Sequence, residues 1–135
     1  MYDESEHTQV AGNVVAVVGG AEVTATVEWL PEFSNRSFEI VPEGHKLVLT
    51  DVIYNPQLDV TALHRVNIAE RWPDGAHRII IQYFIPLGMT QQIHFHTGHV
   101  IEPEKTLIVF TDLSEPEGEH ITVDLNGYLA RLDED

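Results

Sequence analysis

Cysteine is absent from all 135 residues, so disulfides, thiolate metal sites and cysteine nucleophiles are excluded together. That absence assigns no compartment. Lysine is almost missing as well: Lys46 and Lys105 are the only two, and Lys plus Arg number seven against 22 acidic residues. The net charge of −15 repels phosphate backbones and anionic bilayers, so nucleic acid is excluded as a partner and membrane insertion is not expected. No apolar run approaches the roughly 20 residues of a membrane-spanning helix. The opening "MYDESEHTQV" is acidic and polar, unlike a targeting segment, and reads as a native start or as a Met placed on a mature chain. Nowhere does a 3.6-residue apolar period stand between helix caps, which leaves almost no helix to expect.

What is present is strand grammar. "EVTATVEW" alternates, with Val23, Ala25, Val27 and Trp29 on one face and Glu22, Thr24, Thr26 and Glu28 on the other. Further strands are expected at 46–54, 62–71, 78–85, 90–96, 106–112 and 120–126, with another at "NVVAVV". "RIIIQYFI" is apolar on both faces, as a central strand would be. Breakers such as "VGG", "NP", "PDG", "PLG" and "EPEGE" separate the strands. The expected core includes Val23, Val27, Leu47, Leu49, Ile81, Ile93, Phe95, Val109 and Val123. Many short strands between turns point to a sandwich or barrel.

The sequence also echoes itself. "PEGHKLVLTDV" from Pro42 and "PEKTLIVFTDL" from Pro103 align without gaps, each a proline turn feeding a strand that ends in Thr-Asp. Two strands entered from turns at one rim of a sandwich would explain the echo. Asp51 and Asp112, at the ends of these strands, are expected to bond local backbone.

The order "PEGHKLVLTDV", "TGHVIEPEKTLIVF" and "VDLNGYL" resembles a loose group of bacterial and viral jelly-roll β-sandwich domains, over about residues 38 to 130. The resemblance implies an all-β fold: a single antiparallel β-sandwich of jelly-roll type with about eight strands. It would span 1–135, with 1–11 as a flexible acidic segment and 133–135 as an acidic tail. It also implies self-association, as a homotrimer, and favours an extracellular or virion surface. Members of such folds decorate particles, bind sugars or serve as structural subunits, so the fold alone leaves function open.

Two clusters could carry chemistry. In "IHFHTGHVIEPE", His94 and His96 leave the same face of a strand together with Thr90 and Gln92, while Ile93 and Phe95 point inward. Thr97-Gly98 is expected to turn the chain so that His99 or Glu102 could complete a site for a divalent metal such as zinc. A strand-borne H-x-H followed by a glutamate is similar to the cupins. The five-residue gap from His96 to Glu102, the missing downstream glycine and the early position of "PEGH" depart from that family. The preferred reading is a polar strand face with no cofactor. The second cluster is "ERWPDGAHR", where Trp72 stands beside a turn with Arg71, Asp74 and His77, a set suited to stacking on and hydrogen-bonding a carbohydrate. A Trp closing the rim of the sandwich is the competing reading. The serines Ser5, Ser34, Ser37 and Ser114 lack a nucleophile-elbow context, and "NRS" at Asn35 fits a glycosylation acceptor.

The expectation is a non-catalytic surface module, either a structural or decorating subunit or a ligand-binding sandwich contacting carbohydrate or a protein surface. The alternatives are a cupin-like metal enzyme or metal-binding protein at His94, His96, His99 and Glu102, and a lectin-like binder at Trp72. The acidic surface itself suits a high-salt habitat or solubility better than a basic or metal-rich partner. Free imidazole titrates near pH 6.5, so mild acid would remove much of the negative charge carried alongside eight histidines.

Overall fold

The computed structural model describes residues 7–17, 22–29, 37–56, 64–85, 90–111 and 120–132. Among these residues there are ten strands and no helix: β1 His7–Val17, β2 Val23–Thr24, β3 Val27–Trp29, β4 Ser37–Phe38, β5 His45–Pro56, β6 His64–Arg71, β7 His77–Ile85, β8 Gln91–Ile101, β9 Thr106–Thr111 and β10 His120–Arg131. They form two antiparallel sheets, ordered β4-β3-β1-β10-β5-β8 and β2-β9-β6-β7. One core lies between them. Val10, Leu49, Val52, Val123 and Leu125 enter it from the six-stranded sheet, and Val66, Ile68, Leu107 and Val109 from the four-stranded sheet. This is the arrangement of a β-sandwich.

Of the expected core, Val27, Leu47, Leu49, Val109 and Val123 are buried, and Val23, Ile81, Ile93 and Phe95 pack against them half-buried. The alternation therefore placed the inward face correctly.

Four local expectations are corrected. "EVTATVEW" is two strands: β2 pairs with β9 in the small sheet and β3 pairs with β1 in the large one. Its inward residues stay inward, because a strand crossing between sheets at a corner keeps its alternation. "RIIIQYFI" forms β7, which ends the small sheet and pairs only with β6 among the described residues. Its double-sided apolarity comes from a bulge. The register jumps from Ile68↔Ile81 to Ala69↔Ile79, skipping Ile80, so Ile80 and Ile81 both reach the core and Ile79 is exposed. Thr97-Gly98 does not turn the chain, because β8 continues to Ile101. Gly98 adopts φ 80°, and pairing with β5 jumps from Asp51↔His94 to Leu49↔His99, so the glycine is absorbed as a bulge. Finally, β1 opens at His7, inside the stretch read as an N-terminal tail, and pairs with β10 from that residue on. Asn35, Asp112, Ser5, Ser34 and Ser114 lie outside the described residues.

The sequence echo has a structural counterpart. β5 belongs to the large sheet and β9 to the small one, and the turns that feed them touch at one rim. Val41 N–H donates to Lys105 C=O at 2.9 Å, and Glu104 N–H donates to Val41 C=O at 3.0 Å. The register of the echo is off by one, however. In the first turn His45 N–H returns to Pro42 C=O, which puts Gly44 at the third position with φ 79°. In the second turn the residue with positive φ is Glu104, at 73°, directly after Pro103. Gly44 and Glu104 are thus the equivalent residues.

Candidate functional site

The hairpin between β6 and β7 sets Trp72. Pro73 follows it with a fixed φ, and Gly75 takes φ 93°. Gly75 N–H donates to Trp72 C=O at 2.9 Å, and Trp72 N–H donates to Ala76 C=O at 2.8 Å. Asp74 turns its carboxylate back to accept the Ala76 N–H at 2.9 Å, so that group serves the turn. His77 sets its ring edge-on to Phe110, with centroids 6.0 Å apart.

Beside this hairpin lies a cleft of about 590 Å³, lined by Thr24, Glu39, Ile40, Arg71, Trp72, Pro73, Glu104 and Thr106. The volume falls in the range that small ligands occupy. Strand pairing builds it. Arg71 and Thr106 are direct cross-strand partners and so share a face, and Ile40 bridges to Thr106, which brings Glu39 and Ile40 in as a wall. Ile40 is 59% exposed, a large apolar side chain left open to solvent. The Arg71 guanidinium is ion-paired with Glu22. Thr26 donates its hydroxyl to Glu39 at 3.4 Å. A second hollow of about 390 Å³ lies on the outer face of the large sheet, over Asn13, Glu28, Asp124 and Asn126. It is smaller and has no aromatic wall, and Asn13 donates to Asp124 across it. The Trp72 cleft is the better-built site.

A buried ionic cluster supports Trp72. Glu70 lies opposite Leu107 on the inward face, and its carboxylate has no solvent exposure. Arg78, its cross-strand partner, stands 2.7 Å away, and Lys105 Nζ is 3.6 Å away. These are ionic contacts without well-aligned hydrogen bonds. The same Lys105 ammonium sits 4.2 Å from the centroid of the Trp72 ring and 3.8 Å from Glu102. A cation over an indole face is attractive, and more so away from water. One side of the ring is thereby fixed from within.

The four candidate metal ligands are not brought together. His94 Nδ1 lies 2.8 Å from Asp51 Oδ1, and Gln92 donates to the same oxygen at 3.1 Å. Asp51 thus binds across to β8 instead of to its own backbone. These bonds, His94 first, hold its carboxyl below the usual aspartate range. His96 is exposed on the same outer side. His99 faces inward opposite Leu49, with its ring 6.1 Å from that of Phe95, and Glu102 is drawn to Lys105. Among the described residues no group of three or more His, Asp or Glu could hold a metal ion. The reason is the course of β8: His94 and His96 face the solvent side before the Gly98 bulge, while beyond it His99 pairs with the buried Leu49 and faces inward, so it cannot join them.

Of the carbohydrate set, Arg71 and Trp72 line the cleft, while Asp74 and His77 are engaged elsewhere. Sequence reasoning missed Glu39, Ile40, Glu104, Lys105 and Glu70. The echo of the two proline turns was the available signal, since turns at one rim bring 39–41 against 104–106. Glu104 itself carries about 1–2 kcal/mol of backbone strain, the usual order for a side chain in the left-handed region. No family model matches the sequence, and no curated protein is significantly similar to it.

Proposed function

We propose that this chain is a non-catalytic, lectin-like surface module, a sandwich of jelly-roll type that binds carbohydrate in the Trp72 cleft. The observation that carries this reading is the cleft itself. An indole held on one side by Lys105 is combined with the Thr24 and Thr106 hydroxyls, the Arg71 guanidinium and an apolar wall at Ile40 and Pro73. Sugars present apolar C–H faces and hydroxyls that both donate and accept, and a mixed wall of this kind answers both. Immobilising Trp72 in advance lowers the entropy lost on binding. Self-association, as a homotrimer, belongs to the same reading, and the long outermost strands β7 and β8 favour it.

Isothermal titration with a panel of neutral and amino oligosaccharides, on wild type and Trp72→Ala, tests the proposal. Binding by wild type, weakened about 10-fold or more in the variant, supports it. An affinity indifferent to Trp72 would remove the cleft from consideration. Light scattering on the same samples reads the oligomer.

A further inference from the structure

The geometry points to Glu104 as the residue that selects the ligand of this cleft, and to a cationic, ammonium-bearing sugar as the ligand class; this rests on the carbohydrate reading above.

The argument starts from backbone conformation. Gly44 and Glu104 hold the same position in two touching turns, with φ 79° and 73°. Glycine adopts this conformation freely and a side-chain-bearing residue does not. Open space surrounds Gly44, with nothing within 4 Å of a built Cβ. The first turn thus uses the residue that the backbone favours, and the second keeps a glutamate where glycine would relieve the strain. Residues held in this way gather at binding sites, where the side chain's task outweighs the conformational cost.

What the glutamate can do follows from the charges around it. Of the cleft's lining, Glu39, Glu104 and Arg71 are charged, and Arg71 is already paired with Glu22. Lys105, next to Glu104 in sequence, is only 9% exposed and is held by Glu70, Glu102 and the Trp72 ring. Among the described residues no cation is paired with Glu104 or Glu39. Two exposed carboxylates therefore line a cleft whose cations are already engaged. An anionic ligand would be repelled, and a neutral one would gain no charge contact from Glu104. An ammonium group gains that contact. An amino sugar supplies that group on the same ring whose C–H face can meet Trp72.

The test uses the fully deacetylated glucosamine tetramer, its N-acetylated counterpart and a neutral glucose tetramer, titrated into wild type, Glu104→Gln and Glu104→Gly. Wild type should prefer the deacetylated tetramer. Both variants should lose that preference, with affinity for it falling about 10-fold or more while affinity for the neutral tetramer holds. Glu104→Gly should also melt higher than wild type, by roughly 3 °C, as the turn relaxes; this shows that lost binding is not lost folding. Full retention of the preference in Glu104→Gln would overturn the role of charge. If wild type binds all three tetramers alike through Trp72, this inference fails and the cleft reading stands. If wild type binds none of them, this inference fails, and the wider panel with Trp72→Ala decides the cleft.

Discussion

Gly127 on β10 lies against the carbonyl of Val48 on β5, so closely that a Cβ at this position would overlap the carbonyl oxygen. The approach exists because β5 carries an extra residue. Its pairing with β10 passes from Asp51↔Asn126 to Leu49↔Gly127 and leaves Thr50 out. Gly98 on β8 lies beside the side chain of the same valine, where a Cβ would overlap Val48 Cγ1. The first expected outcome is that Gly127→Ala destabilises the protein by about 3 kcal/mol or more, since a backbone atom cannot give way as a flexible side chain can. Urea unfolding checks it, and a loss below 1 kcal/mol would mean that the bulge relaxes.

Lys105 links the core to the cleft. Replacing it with Met keeps the aliphatic stem but leaves the buried Glu70 with Arg78 alone. We expect a loss of about 2–4 kcal/mol, because an undercompensated buried charge costs more than the pair contributes. Adding Glu70→Gln should restore part of the loss, and chemical denaturation of the two single variants and the double variant measures the coupling.

Acid stability should depend on Asp51. Its pKa is lowered in the fold, so its contribution is fully present above the ordinary aspartate value of about 3.9. It is lost as the pH falls through the lowered value, because protonation breaks the bond from His94. Both partners are partly exposed, so the size is below about 1 kcal/mol. In Asp51→Asn the melting temperature should therefore vary less with pH between 5 and 2 than in wild type. Parallel curves would contradict the assignment.

Chelator should leave the melting temperature of untagged protein unchanged, and His94→Ala with His96→Ala should melt as wild type does to within about 1 kcal/mol. A fall of several kcal/mol on chelation, abolished in that double variant, would establish a metal site.

How much of this was legible in the sequence follows from the range of each interaction. Alternation is local, so the inward residues Val27, Leu47, Leu49, Val109 and Val123 could be read directly. The rank of β7 as an outermost strand could not, because its three consecutive isoleucines mimic a two-faced strand when a bulge turns one of them inward. Thr97-Gly98 looks like a turn by composition, yet a single positive-φ glycine serves a bulge equally well, and pairing with β5 decides between them. The cleft was half legible. Trp72 and Arg71 are neighbours in the chain, but Glu104 reaches them through the pairing of Arg71 with Thr106, and Glu39 and Ile40 through the bridge from Ile40 to Thr106, both long-range contacts that local pattern does not reveal.

β1 and β10 pair in register along eleven residues, from His7↔Ala130 to Val17↔His120. That ladder joins the two ends of the described chain, and β10 in turn pairs with β5 at the middle of the large sheet. A pairing of such long range makes for high contact order and slow folding, in milliseconds to seconds, since the loop must close before the contacts reward it. It also sets a schedule for synthesis. The large sheet lacks a central strand until residue 131 has left the ribosome, so a nascent chain carries β1 and β5 without their shared partner for most of its length. Emergence of β10 is then what allows β1 and β5 to be joined in one sheet.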